Sequence, residues 1–234
     1  MKKLAIVIPV YNEEDNIKKV LDDWKIILKK NEFDIIVVND GSHDKTNFIL
    51  NKIKKNNKHI KILNKLNGGH GDSILSGYKY AVKRNYQFIF QVDSDDQFSS
   101  LDFNKLWKIR NKDCDLILGC RENRQDPIIR IFLSKIMLRF FFIIFFQKYI
   151  TDANTPYRLI KNKFLKIFLN NCNKKYLAPN ILMSLFAKKI ITINVKHFQR
   201  SKGVIKWPAK KLIFFGIKLI IEIIKFKKLI SKNY

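Results

Sequence analysis

The segment Gln91-Val92-Asp93-Ser94-Asp95-Asp96-Gln97 closes a short, mostly apolar run that begins at Phe88, and it decides the class of fold. The run is typical of a buried β-strand, and the acidic side chains begin where the strand pattern stops. In an open α/β sheet, polar residues at the carboxyl end of a strand lie where such sheets bind ligands. The oxygens of Asp93, Asp95 and Gln97 suit a divalent cation that also grips a diphosphate. Taken alone, the segment is a weak signal that could be a solvated acidic turn, and its weight comes from the sequence before and after it.

Strand-like and helix-like patterns alternate around this segment. The predicted strands are Leu4–Val10, Phe33–Val38, Ile60–Leu63, Phe88–Val92 and Leu116–Gly119, and the predicted helices are Glu13–Lys30, Asp44–Lys55, Asp72–Lys83 and Leu101–Asn111. This order predicts an α/β fold, with a mostly parallel twisted sheet and helices on both faces.

Charge is distributed unevenly along the 234 residues, whose net charge is +26. Residues 1–120 contain 21 Lys and Arg against 16 Asp and Glu, whereas residues 121–234 contain 25 against 4. A half that is this basic favours a polyanionic partner, either nucleic acid or an anionic membrane surface.

The second half also contains two apolar, basic segments. Residues 128–148 are rich in Phe and Ile, but their longest uncharged run, Phe140–Gln147, is far shorter than the roughly 20 residues that span a bilayer. Residues 209–232 place lysines at intervals of seven, opposite the apolar side chains Leu212, Phe215, Leu219, Ile220, Ile223 and Phe226. Both segments are typical of helices that lie in a membrane interface. Packing on their own domain or in a dimer is the alternative.

Domain boundaries and compartment follow from the same patterns. We expect a domain over residues 1–205, including the helix at 128–148, and a basic amphipathic C-terminal helix over 206–234. The three cysteines show no paired or metal-type spacing, so a reducing cytoplasm is the simplest compartment. The apolar N-terminus is better explained by a first strand than by a signal peptide, because acids and amides follow it.

Three more clusters stand at predicted strand ends, and each alone could be an ordinary turn. They are Pro9-Val10-Tyr11-Asn12-Glu13, Val38-Asn39-Asp40-Gly41-Ser42-His43-Asp44 and Asn67-Gly68-Gly69-His70-Gly71-Asp72. Gly41 permits a tight turn, Asp40 offers hydrogen-bond acceptors, and the glycine-rich cluster leads into a helix.

Together these clusters resemble the family 2 glycosyltransferases, which have the nucleotide-binding GT-A fold. Within that family the chain is most similar to polyprenyl-phosphate sugar transferases of the dolichol-phosphate mannosyltransferase type, over about residues 4–205. The resemblance implies that Asp93, Asp95 and Gln97 bind Mg²⁺ or Mn²⁺ on a nucleotide-sugar donor. The donor-side residues that it implies are Pro9, Tyr11, Asn12, Glu13, Asp40, Ser42 and Gly69, with Asp93 also touching substrate.

The resemblance extends to the acceptor side. It implies that Arg121, Arg130 and Ser134 bind the phosphate of a lipid-phosphate acceptor and that Arg200 contacts the diphosphate from a late loop. Asp152 and Arg158 match a D-x-x-x-x-x-R signature of the subfamily, although a structural ion pair between them is equally compatible. The implied catalytic residues are Asp95, Arg121, Arg130 and Asp152. Arg121, Arg124 and Arg130 could instead form a solvated or lipid-facing basic surface.

The chemistry favours the same acceptor. Displacement at an anomeric carbon creates negative charge on the departing diphosphate, which a cation and arginines stabilise. A hydroxyl acceptor needs a general base, whereas a phosphate monoester is already largely ionised near neutral pH. Residues 121–234 contain only four acids, so a phosphate acceptor fits this acid-poor half better.

These observations predict an inverting, metal-dependent hexosyltransferase bound peripherally to the cytoplasmic face of a membrane, acting alone, as a homo-oligomer or with a membrane partner protein. A transferase that acts on a hydroxyl of a glycolipid or surface glycan is the alternative, and a basic nucleic-acid-binding protein is less favoured. Asn39 and His70 depart from the family pattern, and the absence of Q-x-x-R-W argues against a processive polysaccharide synthase.

Overall fold

A computed structural model describes residues 3–28, 33–122, 138–171, 175–200 and 209–233 of the chain. The strands are β1 (Leu4–Val10), β2 (Phe33–Asn39), β3 (Ile60–Asn64), β4 (Phe88–Gln91), β5 (Leu116–Glu122), β6 (Arg158–Lys161) and β7 (Ile190–Lys196). The α-helices are α1 (Ile17–Leu28), α2 (Thr46–Lys55), α3 (His70–Lys83), α4 (Phe103–Lys108), α5 (Leu138–Phe146), α6 (Asn162–Asn171), α7 (Pro179–Phe186) and α8 (Ala209–Asn233), and a 3₁₀ turn spans Ser100–Asp102.

The strands form one seven-stranded sheet in the order β3-β2-β1-β4-β6-β5-β7. Only β6 is antiparallel to its neighbours, β4 and β5, so the other strands all point the same way. Arg158, the first residue of β6, pairs with Gln91 at the end of β4. The carboxyl ends of six strands and the entrance to β6 therefore share one edge of the sheet.

Alternating side chains of the central strands fill a core on each face of the sheet. In β1, Ile6 and Ile8 face a cluster that includes Leu21 and Trp24 of α1. Ala5 and Val7 face the opposite cluster, which is built with α3, α5, α6, α7 and α8. The predicted α/β architecture, with helices on both faces of a mostly parallel sheet, is confirmed.

Strands β1–β5 and helices α2 and α3 lie close to their predicted positions. Helix α1 begins at Ile17 rather than Glu13, because residues 14–16 form a turn. The N–H groups of Asn16 and Ile17 donate to the Glu13 carbonyl. The helix predicted over Leu101–Asn111 is shorter, and it follows the 3₁₀ turn in which Asp102 accepts a bond from the Lys196 N–H at 2.8 Å. Elements β6, α6, α7 and β7 were not predicted, and residues 128–137 of the predicted helix lie outside the described residues.

Helix α8 lies against the domain with the side that was predicted to face lipid. Leu219, Ile223 and Phe226 are buried in the same core cluster as α3, α6 and α7. This part of the interfacial prediction is wrong, because these side chains complete the protein core. The opposite side of α8 is also apolar, and its exposed side chains are Phe214, Ile217, Ile221 and Ile224. Among the helices of the described ranges, none has both the length and the apolar character needed to cross a bilayer.

Packing of α8 on the core makes a prediction about stability. Replacing Phe226, which is 1% exposed, by Ala should lower the free energy of unfolding by about 3 kcal/mol, since a large buried side chain leaves a cavity. The matched change Ile221→Ala, at a side chain 47% exposed on the same helix, should cost less than about 1 kcal/mol. Urea unfolding followed by circular dichroism measures both, and equal losses would show that α8 is not docked.

Candidate active site

The turns after β1 and β2 are tied together by hydrogen bonds. The Asn12 N–H donates to Ser42 Oγ at 3.0 Å, and the His43 N–H donates to Asn12 Oδ1 at 2.8 Å. Ser42 Oγ in turn donates to Asn39 Oδ1 at 2.6 Å. Pro9 is buried within β1, so the accessible part of the first turn begins at Tyr11, which is 37% exposed.

Asp40 anchors the glycine-rich loop that precedes α3. Its carboxylate accepts bonds from Lys65 Nζ at 2.5 Å and from the N–H groups of Gly68 and Gly69, both at 2.9 Å. Burial opposes ionisation of Asp40, but Lys65 and the Gly68 N–H outweigh it and lower the pKa of the carboxyl. Gly69 has a φ of +89°, and the space where its side chain would lie is open. The loop therefore offers backbone to a ligand, while the donor-side role of Asp40 stays a prediction.

Lys65 is a site residue that the sequence reasoning missed. Besides Asp40 it binds Asp72 Oδ2 at 2.8 Å, so one ammonium group links the end of β2 to the first turn of α3. The available signal was its position, because Lys65 directly follows β3 at the same edge of the sheet as the other candidate residues.

Two of the three predicted metal ligands, Asp93 and Asp95, are carboxylates that lie close together. Asp93 Oδ1 is buried and has no hydrogen-bond partner among the described residues, and His70 Nε2 lies 3.6 Å from it. Burial, and then repulsion from Asp93, raise the pKa of Asp95 to about 7, although Arg200 opposes this shift. A carboxyl group whose ionisation is opposed by burial and by a neighbouring carboxylate is a suitable setting for a cation. Within the described part of the chain, no group of three or more His, Cys, Asp and Glu side chains is arranged to hold a metal ion.

The segment after β7 lies across this acidic loop. Gln97 Nε2 donates to the Phe198 carbonyl at 3.1 Å, and the Phe198 N–H donates to the Gln97 carbonyl at 2.9 Å. Arg200 Nη2 donates to both carboxylate oxygens of Glu13, at 2.7 and 2.9 Å. The sequence predicted Glu13, Gln97 and Arg200 as ligand-binding residues, and the fold brings them together although Arg200 lies about a hundred residues from Gln97.

Arg121 and Asp152 form a bidentate ion pair. Arg121 Nε and Nη2 donate to the two oxygens of Asp152, both at 2.8 Å. Asp152 is 7% exposed, so the pair is nearly desolvated. Both carboxylate oxygens are therefore occupied by the guanidinium group, and Asp152 is placed to orient Arg121.

Arg158 occupies a different position from the one predicted. Its side chain is fully buried and donates to the carbonyls of Ala153, Thr155 and Asn180. The ion pair with Asp152 is not formed, because Asp152 pairs with Arg121 instead. Burial lowers the pKa of Arg158 to about 10, so the group stays cationic at neutral pH beneath the site. Direct substrate binding by Arg158 is not supported, since its donors are used by the backbone.

Arg124, Arg130 and Ser134, which were predicted for the acceptor side, lie outside the described residues. The roles of Arg130 and Ser134 therefore stay predictions. At the described edge, cationic and acidic groups are interleaved: Arg200 pairs with Glu13, Arg121 with Asp152, and Lys19 with Asp96.

Comparison with known proteins identifies the family. Residues 5–173 match the model of glycosyl transferase family 2. An undecaprenyl-phosphate 4-deoxy-4-formamido-L-arabinose transferase of Photorhabdus laumondii is 30% identical over 217 residues, which make up 91% of this chain and 65% of that protein. An uncharacterized protein of Methanocaldococcus jannaschii is 34% identical over 172 residues, or 70% of this chain and 73% of that protein. The chain thus spans less than two thirds of the length of the undecaprenyl-phosphate relative.

Solved structures agree on the fold. Glucosyl-3-phosphoglycerate synthase from Mycobacterium tuberculosis, in complex with Mn²⁺, UDP and phosphoglyceric acid, matches with a TM-score of 0.71 at 13% identity, over 96% of this chain and 78% of that chain. A TarS fragment from S. aureus in complex with UDP-GlcNAc matches with a TM-score of 0.57 at 22% identity, over 86% and 62% of the two chains. At these identities the likeness shows the GT-A fold alone. Because the family model covers most of the sheet and the turns that carry its polar edge, this chain belongs to glycosyl transferase family 2.

Proposed function

We propose that this glycosyltransferase moves a hexose from a UDP- or GDP-sugar to a polyprenyl phosphate, with inversion at the anomeric carbon, at the cytoplasmic face of a membrane. The observation that carries the proposal is the bidentate Arg121–Asp152 pair. It presents an arginine at the polar edge of the sheet and occupies the carboxylate that a hydroxyl acceptor would need as a base. A relative at 30% identity is named for transfer to undecaprenyl phosphate, which supports the same acceptor class.

The donor side fits a divalent cation. Asp93 offers a buried oxygen without a hydrogen-bond partner among the described residues, and Asp95 is held close to a like charge. Gln97 Nε2 donates a hydrogen bond to the Phe198 carbonyl, so Oε1 is the atom of this side chain that can bind a cation. Mg²⁺ and Mn²⁺ prefer such carboxylate and amide oxygens, and the Mycobacterium tuberculosis neighbour was solved with Mn²⁺ and UDP. Asp93, Asp95 and Gln97 would hold the cation together with oxygens of the diphosphate.

The residues of this chain supply the remaining chemistry. A bound cation neutralises charge on the departing diphosphate. Arg200, which reaches the acidic loop from the segment after β7, can exchange Glu13 for a diphosphate oxygen, because phosphate offers the same geometry to a guanidinium group. Arg121, held in orientation by Asp152, would bind the acceptor phosphate, whose oxygen attacks the anomeric carbon as the bond to the diphosphate breaks. Direct displacement inverts the anomeric centre.

Membrane attachment is proposed for one surface, which we call the α5–α8 surface. Helices α5 and α8 are adjacent, since Lys227 on α8 bonds the Phe145 carbonyl and lies over the Phe146 ring. Together they expose a broad apolar area, with lysines beside it. The apolar members are Phe140, Ile143, Ile144, Phe145, Phe214, Ile217, Ile221 and Ile224, and the exposed lysines are Lys218, Lys225, Lys227 and Lys228. An apolar surface bordered by cations fits an anionic bilayer interface.

Turnover is the first test of the function. Purified full-length protein should release nucleoside diphosphate only when a UDP- or GDP-hexose, Mg²⁺ or Mn²⁺, and a polyprenyl phosphate are all present. Asp95→Ala and Arg121→Ala should each lower kcat/KM at least about a hundredfold, because each removes charge stabilisation in the transition state. Asp113→Ala, which changes a carboxylate that is 87% exposed, is the control. Activity on short soluble saccharides with none on prenyl phosphate would favour the hydroxyl-acceptor alternative.

The raised pKa of Asp95 makes a prediction about pH. The folded protein holds a proton on Asp95 up to about pH 7, whereas an unfolded aspartate releases it near pH 4. Between about pH 4 and pH 7 the folded protein therefore binds more protons than the unfolded protein. Ionisation of this carboxyl lowers the stability of the metal-free protein as the pH rises through that range. Asp95→Asn should raise the Tm of metal-free protein by a few degrees at pH 8 and by almost nothing at pH 4. Mn²⁺ should raise the Tm of the parent but not of the variant; identical melting of both proteins at every pH would contradict this assignment.

Binding to vesicles tests the α5–α8 surface. The double variant Ile217→Glu and Ile221→Glu should bind phosphatidylglycerol vesicles roughly tenfold more weakly, because it removes apolar area and adds negative charges that the anionic lipid repels. Phe48→Glu, at a side chain 71% exposed on α2, should bind as the parent does. Co-sedimentation at low and high salt provides the measurement. Undiminished binding of the double variant would place the membrane contact elsewhere.

A further inference from the structure

Glu222 is an isolated acid on the inner side of α8. It is one of four acids in residues 121–234, and it is half-buried. Its two carboxylate oxygens accept the Leu177 N–H at 2.9 and 3.2 Å. Burial raises the pKa of Glu222, while the N–H groups of Leu177 and Ala178 act in the opposite direction. From another helix, the carboxylate thus holds the backbone that leads into α7, which begins at Pro179.

The segment that Glu222 holds lies directly against α3. A Cβ atom built on Gly71 would lie 2.1 Å from the Tyr176 carbonyl oxygen and 3.0 Å from that of Leu177. No side chain fits there, so Gly71 lets the two backbones touch. The Tyr176 ring packs on Phe226 of α8, with centroids 5.9 Å apart. Helix α8 therefore fixes this segment both by a charged hydrogen bond and by an aromatic contact.

The first turn of α3 is also the donor side of the candidate site. His70, next to Gly71, lies 3.6 Å from Asp93 through Nε2. Asp72, on the other side, is bound by Lys65, which also binds Asp40. Any displacement of residues 176–178 would therefore reach the glycine-rich loop and the acid that we assign to the metal.

From these contacts we propose that Glu222 is a positioning residue for the donor site. It acts through the backbone of residues 176–178 and Gly71, and it ties the helix that carries the α5–α8 surface to the nucleotide-sugar pocket. The proposal rests on the proposed function, since it presumes that the edge beside α3 binds the donor. Helix α8 would then support donor binding in addition to attaching the protein to lipid.

Nucleotide affinity tests the proposal. In full-length protein, Glu222→Ala should raise the Kd for UDP or GDP with Mn²⁺, and the KM for the donor, about tenfold, which is a common size for coupling between sites. The kcat at saturating donor should stay within about twofold. Glu222→Gln should restore most of the affinity, because the amide oxygen still accepts the Leu177 N–H.

Asp115→Ala is the matched control. Asp115 Oδ2 also accepts two consecutive backbone N–H groups, those of Lys188 and Lys189 at 2.8 and 3.1 Å, but it precedes β5 at the opposite edge of the sheet. Its loss should lower the Tm and leave the nucleotide Kd unchanged. If Glu222→Ala behaves like this control, the proposal is overturned. Should Glu222→Ala not fold, Glu222→Asp, whose shorter side chain keeps the charge, decides the matter by the same Kd measurement.

Two failures can be told apart. If the parent protein binds neither UDP nor GDP in the presence of Mn²⁺, the proposed function fails and this inference fails with it. If the parent binds nucleotide and turns over donor while Glu222→Ala and Glu222→Asp retain the parent Kd and KM, only the positioning role of Glu222 is refuted.

Discussion

The direction of the strands is the constraint on which the site depends. Six of the seven strands run the same way, so their carboxyl ends, and the turns that follow them, meet at one edge. The single reversed strand, β6, enters the sheet from that edge, which brings the turn with Asp152 beside the end of β5 and Arg121. Residues from the first and last strands of the sheet therefore share one surface.

Carboxylates that lie close together at one edge repel one another, and neighbouring cationic side chains offset part of this repulsion. Asp40 is compensated by Lys65 and Asp152 by Arg121, both through short charged hydrogen bonds. Asp93 and Asp95 are less well compensated, since one has a buried oxygen without a hydrogen-bond partner in the described ranges and the other has a raised pKa. This weaker compensation supports our proposal that this pair, rather than the other acids, binds the divalent cation.

The sequence predicts those features that depend on local pattern. Asp93 and Asp95 were found because a buried strand ends just before them, and the first five strands follow from short apolar runs between turn residues. Partners across the fold were not predictable in this way. Asp152 pairs with Arg121, 31 residues away, rather than with the nearer Arg158, because β6 carries Arg158 into the interior. Lys65 was missed for a related reason, since its position after β3 was a signal but its partners, Asp40 and Asp72, come from other parts of the chain.

Helix α8 shows where an amphipathic pattern is ambiguous. Leu219, Ile223 and Phe226 recur at intervals of four and three, and so do Ile217, Ile221 and Ile224 on the opposite side. A helix that is apolar on two sides suits burial between two apolar partners. The structure gives one partner, the domain core, and the exposed lysines beside the outer side favour lipid as the other. Because Glu222 on the inner side meets residues that touch α3, a helix held by lipid would also brace the turn that faces Asp93. Membrane attachment and donor binding would then be linked through one rigid element, without a separate domain to transmit the effect.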